Sequence, residues 1–196
     1  MSELRICVIG DELVAGSGDP RSLGWLGRAV ARTQMPDHSY VMPLARPQES
    51  TTELVERWEA EVYPRLRKGA DNRLVIGVGT HDVEAGLSVA RTRLNLANIV
   101  DVAASRGIAT LIVGPPPLRT SDRAALKDVA KACQEVCERR GIPFVDTYGP
   151  LEAHDQWHDD LAMSVTGLPS QAGYGLIAWI VLHRGWFEWL GLTQRS

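Results

Sequence analysis

Four short clusters along this 196-residue chain carry side chains able to do acid–base, nucleophilic or metal chemistry. Asp11 and Glu12 directly follow a first apolar run, Arg46, Gln48 and Glu49 a second, and Thr80, His81 and Asp82 a third. A late polar stretch adds His154, Asp155, His158, Asp159 and Asp160. A carboxylate raised in pKa by burial and paired with an imidazole can act as a general base. Glu12 activating a water, with His81 or His158 assisting, is therefore one reading of these residues. Asp155 and His158 have Asp-x-x-His spacing, although a solvated polar loop is the ordinary reading of such a stretch. Asp11, Glu12, His81 and Asp82 are also types that suit a divalent ion. No fixed Cys/His ligand spacing accompanies them, and a hydrogen-bonded Glu12–His81 pair satisfies both groups with one short contact, so the expectation is no metal and no cofactor. Ser17 lies in a Gly-rich loop with no base spaced to serve it. That loop has neither a Walker lysine nor a Gly-x-Gly-x-x-Gly opening a helix, which leaves nucleotide binding without support.

These clusters need a scaffold that brings them together, and the hydrophobic pattern supplies one. Apolar runs alternate with amphipathic stretches, the pattern of a parallel sheet with crossover helices. Strands are expected at Leu4 to Ile9, Ser39 to Leu44, Arg73 to Val78, Ala109 to Val113 and Ile142 to Val145. The third should be central, because strands covered on both faces read as continuous apolar runs. Helices are expected from about Ser22, from Thr51 or Thr52 through Arg67, from Leu87 to Ser105, from Ser121 to Arg140 and from about Pro169 onward. Residues 146 to 168 show no clear period and are read as a long irregular connection bordering a site. In a sheet of this kind the reactive crevice lies beyond the carboxyl ends of the strands, which is where the first three clusters fall.

The length suits a single domain over residues 1–196. A net charge of −3 offers no field for nucleic acid or an anionic membrane surface. Three cysteines are an odd count, and Cys133 and Cys137 sit four apart on an expected helix, which suits free thiols in the cytoplasm better than a disulfide framework. The start of the chain carries no export-signal pattern. The apolar stretch Leu176 to Leu182 is too short to span a bilayer. Trp179, Trp186 and Trp189, half of the six tryptophans, fall near the end of the chain. They are read as packing on the sheet, with self-association into a homo-oligomer as the other use of such a segment.

The blocks resemble, in order, those of the SGNH or GDSL ester hydrolases. Gly10-Asp11-Glu12-Leu13-Val14-Ala15-Gly16 is similar to the family's Gly-Asp-Ser-Leu-x-x-Gly, and Pro47-Gln48-Glu49-Ser50 to its Pro-Gly-Glu-Thr turn. Gly79-Thr80-His81-Asp82 resembles Gly-x-Asn-Asp. Thr166-Gly167-Leu168-Pro169 leading to Gly173-Tyr174 resembles Asp-Gly-x-His-Pro-x-x-x-Gly-Tyr with one residue missing. The resemblance implies a flavodoxin-like three-layer α/β/α sandwich on a five-stranded parallel sheet. It also implies that Asp11, Gly16, Gly79 and Asp82 shape loops, and that the chemistry has changed. The nucleophilic Ser falls on Glu12, the catalytic Asp on Thr166, and the catalytic His has no counterpart between Leu168 and Pro169. The oxyanion-binding Gly and Asn fall on Gln48 and His81. A serine triad missing one member retains only roughly 10³–10⁴ over water. The expectation is thus a pseudoenzyme-like protein with a pocket for a small acyl, sugar or peptide-like ligand or a partner, with carboxylate-based ester or acyl hydrolysis as the alternative.

Overall fold

The computed structural model describes residues 3–119 and 122–193. Five parallel strands, β1 (Leu4–Gly10), β2 (Ser39–Ala45), β3 (Asp71–Gly77), β4 (Ala109–Val113) and β5 (Phe144–Val145), form one sheet in the order β2-β1-β3-β4-β5. Gly10 is in register with both Ala45 and Gly77, Gly77 with Val113 and Val113 with Val145, so all five strands end level. From β1 the chain runs outward to β2 and then returns to β3 on β1's other side. That reversal opens a crevice between the ends of β1 and β3, the place where ligands bind in open sheets.

Alternation along the strands divides the core in two. Leu4, Ile6 and Val8 of β1 and Val75 of β3 face one side, while Cys7, Ile9, Leu74 and Ile76 face the other. Helices α2 (Gly24–Ala31), α7 (Asp155–Met163) and α8 (Gln171–Val181) cover the first side, with Trp157, Trp186 and Trp189 in that cluster. Helices α3 (Thr51–Val62), α4 (Val89–Ser105) and α5 (Arg123–Glu138) cover the second. This is the flavodoxin-like sandwich with its five-stranded sheet.

Caps account for several boundaries. Ser50 and Glu53 form a capping box that starts α3, and that helix tightens into a 3₁₀ turn over Tyr63–Arg65 at Pro64 instead of running on to Arg67. Ser88 caps α4, accepting the Arg91 N–H at 3.2 Å, and Asp122 caps α5, accepting that of Ala125 at 2.9 Å. The expected start of this helix at Ser121 lies outside the described residues. Two differences are larger. A short helix α1 (Glu12–Ala15) begins immediately after β1. Residues 146–168 are also not irregular throughout, since they contain α6 (Tyr148–Glu152) and α7. Each of these buries a single pair of side chains, Tyr148 with Leu151 and Trp157 with Leu161, too little repetition to read as a period. Beyond α8 the helix is broken at Arg184 and Gly185 before α9 (Phe187–Leu190). No helix among the described residues is long and apolar enough to cross a membrane.

Candidate functional site

The crevice is built from the three loops that leave β1, β2 and β3. Asp11 is the N-cap of α1, its Oδ1 accepting the Leu13 N–H at 3.0 Å. Gly16 closes this one-turn helix in the left-handed region (φ +72°), where a Cβ would lie 2.5 Å from the Gly24 nitrogen. Glu12, the first residue of α1, is turned back across the strand ends. Its Oε2 accepts the Gln48 N–H at 2.7 Å, and its Oε1 lies 2.9 Å from His81 Nε2. Gln48 presents that N–H from a left-handed backbone (φ +59°), a conformation uncommon for any residue but glycine. His81 is delivered by the tight turn that begins at Gly79, whose own backbone is left-handed (φ +109°) and whose carbonyl accepts the Asp82 N–H.

The charges of the cluster are strongly interdependent. Burial alone would raise the Glu12 carboxyl, but hydrogen bonds from His81, from the Gln48 N–H and from its own N–H outweigh it and hold the group below the usual glutamate value. The Glu12 hydrogen bond in turn pushes His81 up, against the desolvation it suffers. Asp11 moves the opposite way. It is 1% exposed, and burial together with the neighbouring Glu12 charge pushes it up to about 7, with the Leu13 N–H, His81 and the Thr80 hydroxyl tempering the rise. Its second oxygen, Oδ2, is buried with no hydrogen-bond partner among the described residues. One donor atom each of Asp11, Glu12 and His81 lies within 4.8 Å of the others.

Asp82 does not join them. Its carboxylate is buried and fully engaged by the Thr51 N–H (2.7 Å), the Thr51 hydroxyl (2.7 Å) and the Thr92 hydroxyl (2.5 Å). It ties the start of α3 and the first turn of α4 to the β3 loop. Above the cluster lies an open cleft of about 640 Å³. Glu12, Gln48, Thr80 and His81 line one part of it and Thr166, Gly167 and Leu168 another, with Glu84, Ala85, Leu118 and Arg119 completing the wall.

A profile of the GDSL-like lipase/acylhydrolase family matches residues 8–176, from within β1 to the middle of α8. The chain belongs to that family. No curated protein sequence is significantly similar to it. Among solved structures it is similar to a lipase/acylhydrolase from Enterococcus faecalis, with 22% identity, 98% of this chain and 99% of that one covered, and a TM-score of 0.77. It is similar also to Axe2, an acetylxylan esterase from Geobacillus stearothermophilus, at 18% identity, 99% and 98% coverage and a TM-score of 0.77. A member of the lipolytic G-D-S-L family from Veillonella parvula shares 19% identity over 92% and 97% of the two chains, with a TM-score of 0.75. At these identities the likeness is one of fold.

In this GDSL-like chain, Glu12, Gln48, His81, Thr166 and Leu168 share one cleft, while His158 lies elsewhere. His158 is on α7, its Nε2 donating to the Glu152 carbonyl at 2.7 Å, and with Arg123 and Leu161 it lines an adjoining depression that shares Leu118 and Arg119 with the cleft. The helix that carries it is fixed by buried Trp157, whose Nε1 donates to the Pro117 carbonyl at 3.1 Å. Asp160 on the same helix holds the start of α8, accepting the Ser170 N–H at 2.7 Å together with the Ser170 hydroxyl. Ser17 contributes backbone only to the contacts seen, its N–H to the Glu12 carbonyl and its own carbonyl to the Tyr174 hydroxyl at 2.7 Å. Sequence reasoning missed Leu118, Arg119 and Glu84 as lining residues. The first two directly follow the prolines at the end of β4, and their signal is that position beyond a strand's carboxyl end.

Proposed function

We propose that this GDSL-like protein has lost serine-dependent ester hydrolysis and uses its cleft to hold a small acyl-type ligand. The observation that carries this reading is the position of the Glu12 carboxylate. By the motif resemblance Gln48 and His81 fall on the positions with which the family binds a developing oxyanion, and both are hydrogen-bonded to Glu12 itself. A site whose donors already hold a fixed carboxylate cannot offer them to a transition state, and one such donor is worth roughly 10²–10³ in rate. A negative charge beside the reacting carbonyl further opposes charge build-up there. By the sequence resemblance the family's catalytic acid falls on Thr166 and its imidazole has no counterpart before Pro169, so a nucleophile of the family's kind would lack its own acid–base pair.

The competing reading, Glu12 as a base for water, is favoured by a carboxyl raised toward neutrality, and a lowered one makes a weaker base. The direction here is downward. A cleft of about 640 Å³ is of the size that encloses small ligands. The three cysteines are free and buried. Burial pushes Cys7 up to about 11 and Cys137 up to about 12, which supports unreactive thiols and a cytoplasmic setting. Treatment with a serine-directed fluorophosphonate, read by intact mass, should leave the protein unmodified. One adduct per chain on a serine at the cleft would overturn the proposal.

A further inference from the structure

We propose that Asp11, Glu12 and His81 form a binding site for one divalent transition-metal ion of the Zn²⁺ type. Each carboxylate has one oxygen fixed by a backbone N–H, and one donor atom each of Asp11, Glu12 and His81 lies within 4.8 Å of the others. The Leu13 N–H holds Asp11 Oδ1 at 3.0 Å and leaves Oδ2 buried and, among the described residues, unpartnered. The Gln48 N–H holds Glu12 Oε2 at 2.7 Å and leaves Oε1 facing His81 Nε2. Outer contacts of this kind orient metal ligands and set their basicity. The Asp11 Oδ2 is the independent sign, because a carboxyl oxygen in a residue 1% exposed, with no hydrogen-bond partner among the described residues, is costly to keep charged unless a proton or a cation meets it.

The donor set selects the class of ion. Ca²⁺ takes six to eight oxygens and Mg²⁺ prefers oxygen and water, whereas an imidazole nitrogen with two carboxylates suits Zn²⁺ and its first-row neighbours. Two carboxylates and a neutral imidazole also balance a dication. Three protein donors leave coordination positions for an anionic oxygen of a ligand, so this inference rests on the proposed binding role of the cleft. Asp82, engaged with Thr51 and Thr92, is outside the set.

Calorimetric titration of chelator-treated protein with Zn²⁺ tests this. The wild type should bind one ion per chain, and Asp11→Asn and His81→Asn should each weaken binding about tenfold or more, with circular dichroism unchanged. Asn still caps a helix and keeps the acceptor for the Leu13 N–H, so Asp11→Asn is the variant that holds the fold constant. His158→Ala, in the adjoining depression, should bind like the wild type. Absence of binding overturns the site, as does an affinity unchanged in both Asp11→Asn and His81→Asn. Ca²⁺ binding tighter than Zn²⁺ overturns the class of ion.

Discussion

Gln48 keeps a glycine-like backbone without being glycine. At φ +59° its Cβ crowds the following carbonyl, a cost of about 1–2 kcal/mol for an L-residue. The loop holds the conformation because the Gln48 N–H has a buried carboxylate to meet. Gly at this position relieves the crowding but gives back part of the gain as unfolded-state freedom. Gln48→Gly should therefore raise stability by roughly 0.5–1 kcal/mol in urea unfolding, and a fall of that size would show that the Gln side chain is needed in the loop. Nothing in the residue type announces this conformation, so the sequence could place Gln48 in a turn but not identify it as strained. Glu12 was legible as the replacement for a nucleophile. Its turning back onto the Gln48 N–H was not, since that depends on a loop 36 residues away.

Among the elements, the Gly-rich loop between α1 and α2 is held by one carboxylate. Asp19 accepts the N–H groups of Arg21, Leu23 and Gly24 at 3.0–3.1 Å and forms an ion pair with Arg28. The Arg28 hydrogen bond, with those from the backbone, outweighs burial and holds Asp19 down to about 2. A depressed carboxyl stabilises the fold above the unfolded-state value of about 4, and the contribution is lost as pH falls through the folded value. This amounts to on the order of 2 kcal/mol, since the side chain is fully buried in the pair. Stability measured against pH for the wild type and Asp19→Asn should differ by about that much at neutral pH, with the gap closing between pH 4 and 2. A gap independent of pH would assign the effect to something other than the Asp19 charge. Asp19 reads in sequence as a turn residue before Pro20, and its partner Arg28 lies a helix away. The strands were legible because their apolar runs are continuous and end at Gly10, Gly77 and Gly114. Helices α6 and α7 were not, because one buried pair in each sets no period.

At the scale of the whole molecule, the level strand ends and the reversal between β1 and β3 bring Asp11, Glu12 and His81 together. The same topology puts the C-terminal tryptophans to different uses. Trp186 and Trp189 join the core, with Trp186 Nε1 donating to the Thr33 hydroxyl at 2.9 Å. Trp179 remains 58% exposed, stacked on His183 with ring centroids 4.3 Å apart. The segment thus serves first as a cover for one sheet face. On the proposed reading, the family fold contributes a cleft with the Gln48 N–H and His81 as donors, and this chain changes the group those donors hold. Hydrolysis of short p-nitrophenyl and naphthyl esters by the purified protein, in buffer containing a chelator and beside Glu12→Gln, tests that claim most directly. The account predicts rates equal to buffer for both proteins. Saturable turnover by the wild type that falls in Glu12→Gln would contradict it, making Glu12 a working base in an active hydrolase.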